Sequence, residues 1–537
     1  MSIDHVKTTD TQQPELIQSL LRANVYDHPV KKIRLIETHI SWVILTGDYA
    51  YKIKKPCNLG FLDFSTLEKR LFYCKEELRL NSRLAAPIYL GIVKITGSPK
   101  HPAIQETGDA IEYAIKLIQF PQQAQLDNML TDGKLENRHI DAFAHLIARF
   151  HKNAEIAHPD TCFGNLEHVY QPVERVFSTI RDCPDARQYD RQLSRLKEWS
   201  QSFFEISKPL FGQRKCEGYI RECHGDMHLR NLLWLNNQPL AFDCLEFDPD
   251  LRWIDTLSEV AFLVMDLQSR MQPQLAQRIL NRYLELCGDY SGLRIFCFYL
   301  VYRALVRAMV DAIRADQPGI STSEKYEAAN EFHTYLKLAL SYIHQKKNVL
   351  IITHGLSGSG KSTLSQPILE LIGAVRIRSD VERKRMFGLF DGLGNTTNMH
   401  SRVDKSGVSQ KIYSLEANIK TYAKLRILAD AILNAGFPVI IDAAFLKYEE
   451  RHSFQKLANK RKIPYIILVF TAPTDTLRQR IQTRKQDVSD ADIFVLEHQL
   501  ATFEPLRSDE LPYQIAIDTE KKLNIEKLIL AIKQKSR

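Results

Sequence analysis

No C-x-x-C pair occurs in this chain, and none of its nine cysteines lies beyond Cys297. That spacing excludes a zinc site built on paired cysteines and forms no disulfide framework, so reduced, mostly buried thiols are expected. No apolar run approaches the ~20 residues a helix needs to cross a bilayer, and Met1 to Asp10 lack the apolar core of a signal peptide. The expectation is a cytoplasmic protein with no membrane partner. The chain also lacks an internal repeat, a low-complexity tract and an aromatic-rich basic groove, and the last of these absences disfavours a single-stranded nucleic acid ligand.

With 537 residues, 44% hydrophobic and 25% charged, the chain reads as soluble and globular, and too long for one core. Its net charge of +8 belongs to the C-terminal part: residues 346–537 carry 31 Lys and Arg against 21 Asp and Glu, whereas residues 1–345 carry 41 against 43. A basic domain suits an anionic substrate such as a nucleotide. The lysines of the last 17 residues, Lys521, Lys522, Lys527, Lys533 and Lys535, offer the plainer alternative of a solvated surface.

The run Gly355-Leu356-Ser357-Gly358-Ser359-Gly360-Lys361-Ser362-Thr363 follows the apolar segment 348–353 and precedes a stretch able to continue as a helix to Leu371. This is a phosphate-binding loop. Glycines let the backbone approach, N–H groups and a helix N-terminus point at the anion, Lys361 neutralises the outer phosphates, and Ser362 can ligate Mg²⁺. The chain is therefore expected to bind a nucleoside triphosphate.

Short strands are predicted at 33–36, 42–45, 49–54 and 112–118, with a helix over 65–84, which makes a small α+β lobe. Long helical patterns follow at 137–152, 255–299 and 301–342, making a larger helical lobe. Apolar strands at 348–353, 374–377, 438–441 and 465–470 then alternate with helices, the pattern of a parallel α/β sheet. A helix over 324–347 is read as running into this second unit without a flexible linker, so that the two halves pack rigidly, with units at 1–340 and 345–537.

Ahead of that boundary the chain reads Cys223-His-Gly-Asp-Met-His-Leu-Arg-Asn-Leu-Leu-Trp234, then Leu240-Ala-Phe-Asp-Cys-Leu-Glu-Phe247. Asp226 and Asn231 lie five apart, and Asp243 follows an apolar strand. Phosphoryl transfer needs a carboxylate near the acceptor hydroxyl, and an amide and a second carboxylate for Mg²⁺. The spacing resembles the kinase catalytic loop, and His224-Gly-Asp-Met-His228 resembles the aminoglycoside phosphotransferase and choline kinase branch of the protein-kinase-like fold. The resemblance implies Asp226 as catalytic base and Asn231 and Asp243 as metal ligands. It also implies Lys52 as the phosphate-pairing lysine, with Lys54 on the same strand face as its rival, and Glu77 as its helix partner, with Glu76 beside it. Two departures stand out. No G-x-G-x-x-G joins the first two strands, only Thr38-His-Ile-Ser41, and Asp243 is followed by Cys-Leu-Glu in place of Phe-Gly.

In the second unit, Asp380 and Arg383 follow the strand at 374–377. This resembles the P-loop kinases that include polynucleotide kinases, zeta-type toxins and gluconate kinases, and implies that Asp380 activates the acceptor hydroxyl and Arg383 holds the substrate. A helix-capping Asp380 with a solvated Arg383 is the alternative. Asp442 ends an apolar strand and suits a Mg²⁺-orienting role, or a strand cap. Arg480 and Arg484 share a helix face and resemble lid arginines of that group, or are surface ion-pair partners. The whole implies an α+β protein-kinase-like domain followed by an α/β P-loop NTPase domain, an AAA-type ATPase or kinase. The cofactors would be ATP and Mg²⁺, and the acceptor a small-molecule or nucleotide hydroxyl. A regulatory ATP-binding protein with an inactive first half is the rival, and a nucleic acid end kinase comes third.

Overall fold

The computed structural model describes residues 14–60, 62–317, 319–344, 348–390, 414–483 and 493–536. Arg484 and the 345–347 end of the expected connecting helix lie outside these residues. After a short helix α1 (Glu15–Leu20), six strands form one sheet: β1 (Arg34–Glu37), β2 (Ser41–Leu45), β3 (Tyr49–Lys54), β4 (Tyr89–Ser98), β5 (His101–Ile104) and β6 (Ala110–Ile118). Their order is β1-β2-β3-β6-β4-β5, antiparallel throughout. Helix α2 (Leu67–Ala85), capped at Thr66, packs on this sheet through Cys74 and Ala85. The β4–β5 hairpin escaped the sequence reading, because its exposed edge carries Lys94, Ser98 and Lys100 instead of an apolar alternation.

The helical lobe contains α3 (Leu126–Thr131), α4 (Asn137–Asn153), α5 (Leu166–Asp182), α6 (Asp190–Cys216), α7 (Thr256–Ser269), α8 (Pro273–Cys287), α9 (Leu293–Ala315) and α10 (Thr322–Tyr342). The two long helices expected over 255–342 are four. Pro273 starts α8, Gly288 ends it in the left-handed conformation (φ +78°), and the Ser321/Glu324 capping box restarts the chain as α10. Helices α5 and α6 each contain an internal proline, Pro172 and Pro209, which masks them from a propensity reading. Helix α7 is buried on nearly every side, and it carries the carboxylates Glu259 and Asp266 into the interior. Strands β7 (Ile220–Glu222), β8 (Leu232–Leu235), β9 (Gln238–Ala241) and β10 (Trp253–Asp255) form two small ribbons around the motif segment.

The C-terminal half is a parallel five-stranded sheet of order β12-β13-β11-β14-β15, from β11 (Leu350–His354), β12 (Val375–Arg378), β13 (Val439–Asp442), β14 (Tyr465–Thr471) and β15 (Gln514–Asp518). Its helices are α11 (Lys361–Ile372), α12 (Ser379–Met386), α13 (Leu415–Asn434), α14 (Tyr448–Arg461), α15 (Thr474–Thr483), α16 (Ile493–Thr502) and α17 (Ile525–Lys535). Apolar side chains of both halves belong to one buried cluster, which runs from Ile279 and Phe296 to Val375 and Phe437. No described helix is long and apolar enough to cross a membrane.

Candidate functional site

In the N-terminal half the charged groups come together from distant parts of the chain. Lys52 Nζ lies 2.8 Å from Glu77 Oε1 and 2.7 Å from Asp243 Oδ1. Lys54, two residues along β3 and so on the same face, lies 2.7 Å from Glu77 Oε2 and 2.5 Å from Glu246 Oε1. The two candidate lysines thus share one glutamate and divide two carboxylates between them. Glu76, the rival of Glu77, pairs instead with Arg79 at 2.9 Å. Burial opposes the charge of Glu77, but Lys52 and Lys54 outweigh it and bring its carboxyl down to about 2. Burial also opposes both ammonium groups, which Asp243 and Glu246 respectively hold above their ordinary range.

The hairpin β8–β9 sets Asn231 and Asp243 at its two ends. Its Asn236-Asn237 turn has φ of 51° and 59°, the geometry that matches strand twist. Asn231 Nδ2 donates to the carbonyl and to Oδ2 of Asp226, each at 3.0 Å. That leaves the Oδ1 oxygen of Asn231 and the Oδ2 oxygen of Asp243 as the atoms able to ligate Mg²⁺, so this donor set fits the cation. Asp243 is held at φ +63°, a conformation costly for a non-glycine residue and concentrated at functional sites.

The loop carrying Asp226 is clamped from below by groups the sequence did not single out. Glu259 Oε2 accepts from Gly225 N–H at 2.7 Å, Asp266 Oδ2 from Leu229 N–H at 2.9 Å, and Arg303 donates to Gly225 O at 3.0 Å. His151 joins Glu259 to the Tyr283 hydroxyl, 2.9 Å from each. These residues lie on helices with ordinary apolar spacing, and only their burial marks them.

In the C-terminal half the loop 355–360 joins β11 to α11, whose first turn carries Lys361, Ser362 and Thr363. A Cβ on Gly355 would stand 2.5 Å from Phe470 O, so glycine is required there for the close approach of backbone to backbone. Lys361 Nζ donates to the carbonyls of Gly355 and Leu356 at 2.9 and 2.7 Å, and Ser357 N–H donates to Gln499 Oε1 of α16 at 2.8 Å. The loop floors a cleft of about 690 Å³ whose walls include Ser362, Thr363, Asp380, Arg383 and Asp442, together with Arg378, Tyr422, Phe494 and His498, which sequence reasoning missed. Arg378 was legible as a cation two residues before Asp380 on the same strand end. Tyr422 and His498 sit on helices with no motif.

Asp380 lies in the first turn of α12, whose cap position is Arg378, so it does not cap the helix. Arg383 is buried and donates to Asn418 Oδ1 at 2.7 Å. Asp442 is 5% exposed, and its Oδ2 accepts no hydrogen bond from a described residue. A buried carboxylate oxygen and the Ser362 hydroxyl, from residues lining one cleft, are a donor pair that fits Mg²⁺. Arg480 binds Thr519 Oγ1 at 2.8 Å and Gly358 O at 3.4 Å, bracing the loop from outside the cleft wall. Burial drives the imidazole of His354, at the end of β11, down to about 4.

The model of a family described as an AAA domain matches residues 350–506. Among solved structures, a gluconokinase from Sinorhizobium meliloti 1021 is 17% identical with a TM-score of 0.24, covering 36% of this chain and 90% of its own. An amicoumacin kinase in complex with AMP-PNP, Ca²⁺ and Ami is 11% identical with a TM-score of 0.36, covering 61% of this chain and 94% of its own. The chain is 30% identical over 469 residues to the uncharacterized protein Rv2004c of Mycobacterium tuberculosis (strain ATCC 25618 / H37Rv) and, at the same identity, to the uncharacterized protein Mb2027c of Mycobacterium bovis, which covers 87% of this chain and 89% of theirs. At 30% identity over most of both sequences, the chain belongs to the family of these two mycobacterial proteins.

Proposed function

We propose that this protein is an ATP-dependent phosphotransferase with two nucleotide sites, one in a domain at 1–340 and one in a domain at 345–537, each passing the γ-phosphoryl group to a hydroxyl acceptor. The observation that carries the reading is Lys52 held between Glu77 and Asp243 at 2.8 and 2.7 Å. A buried cation fixed by one helix carboxylate and set against a metal-ligating carboxylate is the arrangement that phosphoryl transfer uses.

In the first site Asp226 takes the proton of the acceptor hydroxyl. The oxygen bonds to the γ-phosphorus as the bond to the bridging oxygen breaks and ADP leaves. Lys52 pairs with the donor phosphates, and Asn231 and Asp243 would hold Mg²⁺. In the second site the N–H groups of Gly355 to Thr363 and the Lys361 ammonium hold the phosphates. Ser362 and Asp442 would hold Mg²⁺, Asp380 takes the acceptor's proton, and Arg383 orients the acceptor. Bound Mg²⁺ supplies positive charge that offsets the phosphate oxygens. Arg480 supports the loop through Gly358, and the lid role of Arg484, which lies outside the described residues, rests on its sequence spacing alone. The acceptors are small molecules or nucleotides, a nucleic acid end being less favoured, and the setting is cytoplasmic, which nine cysteines outside any disulfide support.

One feature favours a second reading, a regulatory ATP-binding protein with an inactive first half. The β1–β2 turn is short and bonded to itself, Ser41 N–H donating to Thr38 Oγ1 at 2.9 Å, where a glycine-rich flap would cover phosphates. Incubating the protein and γ-labelled ATP with a metabolite and nucleotide library decides between them. Asp226→Asn and Asp380→Asn are each expected to abolish a different set of labelled products, by about 10²- to 10⁴-fold. If Lys361→Ala removes all turnover and Asp226→Asn none, the first half has a binding role only.

A further inference from the structure

Helix α8 belongs to the kinase-like half, yet one of its faces runs along β12, the edge strand of the P-loop sheet. Gln277 Nε2 and Asn281 Nδ2 donate to Ala374 O at 2.7 and 3.0 Å, and Asn281 Oδ1 accepts from Arg376 N–H at 2.8 Å. Asn281 thus offers the strand a donor and an acceptor, as a neighbouring strand would. Four helical residues advance about 6 Å and two strand residues about 6.6 Å, so the series 277, 281, 285 keeps pace with 374, 376, 378. The third member of the series is Glu285. Its carboxylate is 6% exposed and lies 3.7 Å from Arg376 and 3.6 Å from Arg378. Burial works against its charge, but Arg378, Arg376, Arg282 and Arg385 together hold it below the usual carboxylate range.

Both strand arginines lead into the P-loop site. Arg376 donates to Ser362 O at 3.0 Å and to Ser365 Oγ at 2.9 Å, bracing the first turn of α11. Arg378 lines the cleft and stands 3.6 Å from Asp442 Oδ2, the carboxylate oxygen that accepts no hydrogen bond. Two carboxylates therefore compete for one guanidinium. With Glu285 charged, Arg378 is shared, and Asp442 keeps an oxygen for a cation. Without that charge, Arg378 would close on Asp442 and neutralise it.

We infer that Glu285 of the kinase-like half is a positioning residue for the P-loop site, holding Arg378 and Arg376 so that Asp442 and the start of α11 keep the geometry that Mg²⁺-triphosphate binding requires. The inference rests on the phosphotransferase reading of the C-terminal half, and makes that half's site incomplete without the other.

The test uses the full chain with Asp226→Asn, so that remaining turnover belongs to the P-loop site, and adds Glu285→Gln, Glu285→Asp or Asn281→Ala. Asn281→Ala cuts the same interface without touching either guanidinium. Two quantities are read: turnover of ATP, and affinity for a fluorescent ATP analogue with and without Mg²⁺. Glu285→Gln is expected to lower kcat and the tightening by Mg²⁺ each by about 10- to 100-fold, to leave metal-free affinity unchanged, and to be partly rescued by Glu285→Asp. Asn281→Ala should lower the thermal midpoint while keeping kcat and the Mg²⁺ effect. Glu285→Gln with an unchanged Mg²⁺ effect overturns the inference, as does Asn281→Ala losing as much as Glu285→Gln. A parent that binds the analogue but does not turn ATP over defeats the catalytic reading of that half alone, because the Mg²⁺ comparison still decides the role of Glu285.

Discussion

The two candidate sites are built on opposite architectures. In the N-terminal half, side chains up to 192 residues apart close into a buried network in which every carboxylate faces a lysine. In the C-terminal half nine consecutive residues supply the cradle from backbone, and the carboxylate Asp442 keeps an unbonded oxygen in an open cleft. The difference teaches where each half keeps its risk. A network of buried charges fails when one member is removed, because its partner is left unpaired in low dielectric. A backbone cradle fails when its path is altered.

The sharpest way to break this contrast is to separate Lys54 from Lys52. Lys54 is 1% exposed and lies 2.5 Å from the carboxylate of Glu246, itself 5% exposed. Lys54→Met is expected to destabilise the N-terminal half by about 3–5 kcal/mol in urea titrations. Under the proposed function Lys52→Met should chiefly cost turnover of the first site, because Lys52 faces Asp243. All four tryptophans, Trp42, Trp199, Trp234 and Trp253, precede the boundary, so their fluorescence reads the N-terminal half directly. If both variants lose the same stability, the division of labour between the lysines is wrong.

Acid should separate the halves next. Glu77 titrates at about 2 in the folded protein against an ordinary 4.5, so its contribution is whole above pH 4.5 and is lost as pH falls toward 2. His354 titrates at about 4 against 6.5, so the unfolded chain binds the extra proton between these values, and stability is lost as pH falls from 6.5 toward 4. Each shift is worth up to about 3 kcal/mol. Hydrogen exchange should show β11 losing protection between pH 6.5 and 4.5 while β3 keeps it. Loss of both in the upper window would mean that the shared core makes the halves one unit.

The same contrast explains what the sequence made legible. The phosphate loop was readable because its chemistry is local, and Asp226 with Asn231 because five residues of spacing survive translation into one turn. The Lys52–Lys54 rivalry was not resolvable, since period two puts both on one face and only the fold reveals that Glu77 has an oxygen for each. Glu285 and Asn281 were invisible for a stronger reason. Apart from Arg282, 2.6 Å from Glu285 on the same helix, their partners are backbone and arginines about a hundred residues away, and a helix-to-strand match of 6 against 6.6 Å leaves no periodicity of its own. The hairpin at 89–104 and helices α5 and α6 were missed where polar edges and internal prolines blur local propensity.

The smallest effect tests the cradle itself. Gly358 has φ +79°, and a Cβ there would stand 2.9 Å from Leu477 O of α15, whereas Gly133, with φ +69°, would meet nothing within 4 Å. Gly133→Ala therefore measures the left-handed backbone cost alone, about 1–2 kcal/mol. Gly358→Ala adds contact with a backbone carbonyl that cannot rotate away, so its loss of stability should exceed that of Gly133→Ala by about 1 kcal/mol. Metal-free affinity for the fluorescent ATP analogue should fall with it, because the same peptide shapes the phosphate cradle and carries the carbonyl that Arg480 braces. Equal losses at the two glycines, with nucleotide affinity intact, would mean that α15 yields to the loop, and that the cradle of the C-terminal half is shaped by the nucleotide instead of standing ready for it.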